Sequence, residues 1–181
     1  IDITKIDVNG DTTATYTFAD DSVILGSPQS FKMLEGACVK VDDAGNVYAI
    51  GNSGESSFLL KFDSDLNLLY KKRFWNFTTV SCGMSSNYLY VCGNTDDGGG
   101  VLKYKKSNGA LLKYTLYENA TITSGELTST GFATAGRIGN NVNSDELFVQ
   151  RLDSSLNISW TFLYNYANGN YSDEAKELKV V

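Results

Sequence analysis

Four asparagines of this chain stand in the triplet Asn-x-Ser/Thr, which presents a side-chain amide for glycosylation: Asn76-Phe77-Thr78, Asn119-Ala120-Thr121, Asn157-Ile158-Ser159 and Asn170-Tyr171-Ser172. Carboxylates are the second chemical resource. Asp42 and Asp43, Asp63 and Asp65, Asp96 and Asp97, and Asp153 all lie in stretches rich in Gly, Ser or Asn. A glycosidase needs two acids about 5–10 Å apart across a cleft, whereas these positions follow from the preference of Asp for tight turns. The segment Asp7-Val8-Asn9-Gly10-Asp11 resembles a fragment of a calcium loop, but it lacks the later Glu and its glycine is misplaced. Asp96-Asp97-Gly98-Gly99-Gly100 is the other acidic loop. The expectation is no metal and no cofactor, with calcium at Asp7, Asn9 and Asp11, or at Asp96 and Asp97, as the weak candidate.

Histidine is absent. That removes the Ser-His-Asp triad, any His-containing zinc site and the commonest general base. The three cysteines, Cys38, Cys82 and Cys92, leave at least one without an internal partner. Cys82 and Cys92 flank one hairpin off-centre, so a bridge among the three stays open beside the simpler reading of small buried side chains.

The 15 Lys and Arg against 21 Asp and Glu give a net charge of −6, the wrong sign for binding nucleic acid. Lys71-Lys72-Arg73 and the lysines at 103, 105, 106 and 113 read as solvated strand faces. No apolar run approaches the roughly 18 residues of a membrane span. The chain opens at Ile1 without methionine and reads as an ordered or processed part of something longer.

What positions these residues is a repeat. Gly45-Asn46-Val47-Tyr48-Ala49-Ile50-Gly51-Asn52, Asn87-Tyr88-Leu89-Tyr90-Val91-Cys92-Gly93-Asn94 and Thr130-Gly131-Phe132-Ala133-Thr134-Ala135-Gly136-Arg137 echo one another, their closing glycines 42 and then 43 residues apart. Each copy holds two hairpins of β-branched and aromatic strands. Runs such as Val47-Tyr48-Ala49-Ile50 are apolar on both faces, so each sheet must stack between neighbours. The predicted fold is all-β, a β-propeller of four-stranded antiparallel blades. Half a blade is expected over 1–20, a link over 21–36, and blades over 37–78, 79–119 and 120–168. The first strand of a further blade is expected over 173–181. The step from the closing glycine to the Lys or Arg of the following strand (Lys61, Lys103 and Arg151) is ten residues in two copies and fifteen in the third, which places an insertion within Ile138 to Glu146. Asn76, Asn119 and Asn170 fall in the links between blades, where their glycans would crown one rim; Asn157 opens a strand and is the poorer acceptor.

Phe148-Val149-Gln150-Arg151-Leu152-Asp153-Ser154-Ser155-Leu156-Asn157-Ile158-Ser159-Trp160, then Asn168-Gly169-Asn170-Tyr171-Ser172-Asp173-Glu174-Ala175, resemble the seven-bladed-propeller-type (SBBP) repeat family. Asp42 to Gly51 supplies that family's further phrase, and the resemblance runs from Ala37 to Val181. It departs from the family where Leu66 and Leu156 stand for the turn glycine and where Lys105-Lys106 replace Asp-Ser. The resemblance implies a secreted or surface protein and defines no catalytic residue. The expected function is a non-enzymatic extracellular module with a structural or interaction role. Its partners would be other protein chains, including copies of itself joined head to tail as a fibre by edge-strand addition. The alternative is a carbohydrate-active enzyme, or a calcium-dependent carbohydrate or adhesion module, using the turn carboxylates.

Overall fold

Short apolar runs punctuated by Asp, Asn and Gly produce fourteen strands among the described residues of the computed structural model, which describes residues 2–6, 8–17, 35–54, 56–139, 145–164 and 175–179. The chain divides into two compact units, Ile1–Asn76 and Phe77–Val181.

In the first unit, β1 (Asp2–Ile6) and β2 (Thr12–Thr17) form an antiparallel hairpin. β3 (Glu35–Val41), β4 (Val47–Ser53), β5 (Ser56–Phe62) and β6 (Leu68–Trp75) form a four-stranded antiparallel sheet in that order. The hairpin packs on this sheet. Ile3 joins Ala49, Phe58, Leu60, Phe62 and Leu66 in one core, and Tyr16 meets Phe62 edge to face with ring centroids 4.7 Å apart. Lys5 Nζ donates to Ser64 O in the β5–β6 turn at 2.8 Å.

The second unit repeats the sheet twice. β7 (Thr78–Met84), β8 (Tyr88–Thr95), β9 (Gly98–Lys105) and β10 (Leu111–Glu118) form one four-stranded sheet. β11 (Ala120–Thr128), β12 (Gly131–Gly139), β13 (Asp145–Asp153) and β14 (Ile158–Tyr164) form the next. Between them lies a core of Tyr90, Cys92, Val101, Ile122, Phe132 and Phe148 among others, with Tyr90 and Phe132 stacked at 5.6 Å. The central strands are buried on both faces, as their unbroken apolar runs require: Leu89, Tyr90, Val91 and Cys92 are all sealed from solvent. The fold is thus that of β-propeller blades: three of four strands, with partial blades beside them.

The repeat glycines have a steric cause. The first strand of every four-stranded sheet bulges, between Gly36 and Cys38, between Thr79 and Ser81, and between Ile122 and Ser124. Gly51, Gly93 and Gly136 each pair with the residue just before the bulge, Gly36, Thr79 and Ile122. A Cβ on Gly93 would strike the carbonyl oxygen of Thr78, and one on Gly136 that of Thr121.

The third blade absorbs part of its insertion by lengthening: β12 and β13 run nine residues each and stay in register out to Gly139 opposite Asp145. Residues 140–144 lie outside the described residues, as do most of the link at 21–36 and residues 165–174. Residues 175–179 join no sheet but lie along β11. Thr123 Oγ1 donates to Ala175 O, and Ser124 Oγ accepts from Leu178 N. This continues a step already present within the unit, where Ser81, also just past its bulge, donates through Oγ to Gly125 O of β11 at 2.8 Å. Among the described residues no helix is long and apolar enough to cross a membrane.

Candidate functional site

The turn carboxylates are engaged by their own turns. Asp63 Oδ1 accepts from the backbone N–H groups of Asp65 and Asn67, both at 2.9 Å, while Asn67 Nδ2 donates to Oδ2 at 2.8 Å. Asp153 repeats the clasp with Ser155 and Asn157 at 2.8 and 2.9 Å, closed by Asn157 Nδ2 on Oδ2 at 2.9 Å. Asp42 does the same with Ala44 and Asn46, and its Oδ2 also accepts from Tyr48 Oη at 3.2 Å. The fourth residue of each clasp is left-handed: Gly45 at φ 79°, Leu66 at 64° and Leu156 at 59°. Asn67's side-chain amide foremost, with its backbone N–H, holds the Asp63 carboxyl below its ordinary 3.8. The backbone N–H of Asn157, then its side chain, does the same for Asp153. These hydrogen bonds favour the charged form of the Asp63 and Asp153 carboxyls.

Asn9 and Asp11 are exposed on the β1–β2 turn, where Gly10 is left-handed at φ 89°, and Asp7 lies outside the described residues. Asp96 and Asp97 are the exposed two-residue turn joining β8 to β9; the N–H of Asp97 is donated to Thr95 Oγ1 at 3.2 Å. Among the described residues no three of His, Cys, Asp and Glu gather in a way that could hold a metal ion.

The three described sequons occupy two different environments. Asn76 and Asn119 form the links from β6 to β7 and from β10 to β11; both are exposed and left-handed, at φ 53° and 58°. Asn119 is held through its backbone, donating to Asp97 O at 3.3 Å and accepting from Gly139 N at 2.9 Å. Asn157 belongs to the Asp153 clasp, and its Oδ1 accepts from Lys113 Nζ at 2.8 Å. Asn170 lies outside the described residues.

Cys38 and Cys82 are disulfide-bonded, while Cys92 is a buried free thiol. Cys82 stands opposite Val91, and Cys92 opposite Ser81, so the two cysteines of the β7–β8 hairpin are out of register with each other. Burial pushes the Cys92 thiol up to about 12, which keeps it protonated and unreactive. Two of the basic residues are not the solvated faces expected from sequence. Lys106 is buried and donates to Ser85 O at 3.2 Å. The Arg73 guanidinium lies 3.5 Å from the ring centroid of Trp75.

One surface escaped the sequence reading. On the face of β14 pointing away from the second blade, Trp160, Phe162 and Tyr164 are 46, 54 and 46% exposed. They oppose Arg151, Val149 and Leu147 of β13. The matching positions on the second blade are Lys103 and Val101, which face the third blade. There Lys103 donates to Ser154 O, Thr115 Oγ1 donates to Leu156 O at 3.0 Å, and Val101 is fully buried. On the third blade the inner part of the same face, Ala133 and Ala135, is buried, while its outer part stands open. The every-second-residue spacing of Trp160, Phe162 and Tyr164 is the signal that could have shown it.

Sheets of this order define a β-propeller, and solved structures agree. Over 90% of its length the chain is similar to the Pan2 WD40 domain of Neurospora crassa, with TM-score 0.61 and 12% identity. It is similar over 74% to the RRP9 WD40 repeats, with TM-score 0.55 and 12% identity. Over 77% it is similar to the Cps50 (Swd1) β-propeller domain of Myceliophteria thermophila, with TM-score 0.50 and 15% identity. The chain spans 47, 39 and 43% of those three chains, and at such identities the likeness shows the fold alone. No family model matches the chain, and no curated protein matches it in sequence.

Proposed function

We propose that this chain is a non-enzymatic extracellular β-propeller module of the SBBP-like kind, and that it associates with a second copy of itself through the open face of its third blade. The observation that carries the reading is a complementarity of partial blades. Residues 175–179 lie along β11 where the first strand of a further blade would run, yet the outer half of that face, Trp160, Phe162 and Tyr164, is half exposed. The β1–β2 hairpin is a sheet of two strands among the described residues. It packs on the first blade as an outer hairpin does: Lys5 reaches Ser64 O as Lys103 reaches Ser154 O. The outer hairpin of one copy fits the open outer face of the next, a heterologous contact that propagates head to tail. The disulfide-bonded Cys38 and Cys82 support an oxidising compartment. The clasped Asp42, Asp63 and Asp153 support a role without catalysis.

Sedimentation velocity of the purified chain over a wide concentration range tests the association. The parent is expected to assemble beyond the monomer, and Phe162→Glu to remain monomeric while keeping its strand content. A parent that sediments as a monomer at every concentration would falsify self-association.

A further inference from the structure

We propose that, of the three sequons among the described residues, Asn76 and Asn119 are N-glycan acceptors and that Asn157, although it carries the same triplet, is reserved for its turn. The inference rests on the extracellular reading above. Asn76 and Asn119 occupy the same station one repeat apart: each is the exposed, left-handed residue between the outermost strand of one blade and the innermost strand of the next. The residue after each is buried, Phe77 or Ala120. The Thr that completes the triplet lies at the start of the bulged strand, as its first residue in β7 and its second in β11, with its carbonyl seated against Gly93 or Gly136. The link is therefore anchored on both sides of the Asn while the amide points outward. Neither side-chain amide makes a hydrogen bond among the described residues. Left-handed backbone explains why the residue is Asn or Gly; it makes no demand for Thr two positions on, and both links have it.

Asn157 has another reason to exist. Asn46 and Asn67 make the same clasp to Asp42 and Asp63 in segments that are not sequons. The turn alone thus accounts for an Asn at this station. Its Nδ2, the atom that would carry the sugar, donates to Asp153 Oδ2, and Lys113 holds its Oδ1. An oligosaccharide there would have to replace a hydrogen on the nitrogen that closes the clasp. At Asn76 and Asn119 the transfer costs the fold no contact. The amide Nδ2 bonds to C1 of the reducing sugar of a polyprenyl-diphosphate-linked oligosaccharide. The bond from C1 to the diphosphate oxygen breaks, polyprenyl diphosphate departs, and one amide proton passes to a base of the transferase.

The test is expression of the full chain through a eukaryotic secretory route, with peptide N-glycosidase release in heavy-oxygen water marking each occupied Asn. Asn76 and Asn119 are expected to be marked and Asn157 unmarked. Asn76→Gly and Asn119→Gly keep the left-handed backbone, so each should remove one glycan's mass without moving the melting temperature. Asn157→Gln should remove no glycan mass and lower the melting temperature. Thiol state, read on the same sample, separates the two readings. A secreted chain with Cys38 and Cys82 oxidised but Asn76 and Asn119 unmarked overturns the glycan assignment and leaves the compartment standing. Occupancy of Asn157 equal to the other two overturns the distinction between the sequons. A chain whose three cysteines are all reduced counts against the compartment.

Discussion

The side chain of Asn94 grips the backbone of Ile122 from the neighbouring blade at both polar groups. Its Nδ2 donates to Ile122 O at 2.9 Å, and its Oδ1 accepts from Ile122 N at 2.7 Å. An amide can act this way because it presents a donor and an acceptor side by side, as a peptide does. Ile122 is buried, so losing the grip leaves an N–H and a C=O without partners beside a core residue.

Asn94→Ala is therefore expected to cost about 1–3 kcal/mol, read as a lowered urea midpoint at unchanged slope. Asn94→Asp should cost more, since it turns an acceptor toward Ile122 O. An Asp variant as stable as the parent would mean that the paired bonds contribute nothing net.

Leu156 gives a reversed ranking. Its backbone is left-handed at φ 59°, yet the side chain is buried in the second unit's core. The left-handed conformation costs a residue with a Cβ about 1–2 kcal/mol; truncating a buried Leu costs about 2–5 kcal/mol. Leu156→Ala loses the burial and keeps the strain, whereas Leu156→Gly loses the burial and sheds the strain. The Gly variant should melt above the Ala variant, against the usual order in sheets and helices. Calorimetry of the pair decides it.

That case also marks the limit of what sequence could show. The repeat was legible because glycine at Gly93 and Gly136 answers a local steric demand, and such demands recur with the period. The alternation of apolar runs with Asp-containing turns was legible for the same reason. Leu66 and Leu156 were visible only as departures from glycine, because nothing in a leucine announces a left-handed backbone sustained by a core assembled from other strands. Lys106 was misjudged likewise. Its turn lacks the Asp clasp and uses Gly109 at φ 66° instead, and this altered path carries the ammonium inward to Ser85 O. Nothing in the sequence marks the role of Asn94, since its partner lies 28 residues away. The state of Cys38 and Cys82 depended on tertiary placement that spacing does not encode.

The cysteines yield a count. In the native protein Cys92 should resist alkylation at mildly alkaline pH, because burial raises its thiol to about 12 and bars the reagent. Denaturant without reductant should expose one reactive thiol per chain, and reductant should raise the number to the three that the sequence contains. Three thiols in denaturant alone would contradict the bonded state of Cys38 and Cys82.

Acid should unfold the protein partly through its clasps. Hydrogen bonds from Asn67 and Asn157 hold the Asp63 and Asp153 carboxyls below their ordinary 3.8. A carboxyl with a depressed folded value binds its proton more tightly in the unfolded chain, so stability rises with pH through the interval between the two values and is level above it. The contribution is thus fully present above the unfolded value of about 3.8, and is lost as pH falls through the lower folded values. Both groups are exposed, so solvent screens the effect and salt should weaken its coulombic part, which Lys5 supplies at Asp63 and Lys113 at Asp153. The hydrogen-bonded part should persist in salt. Urea midpoints taken from neutral pH down to about pH 3 should be flat and then fall in the parent. In the Asp63→Asn/Asp153→Asn double variant the midpoint should start lower and fall less. If the double variant loses stability in acid as steeply as the parent, the acid sensitivity belongs to other carboxylates and the clasps are not its source.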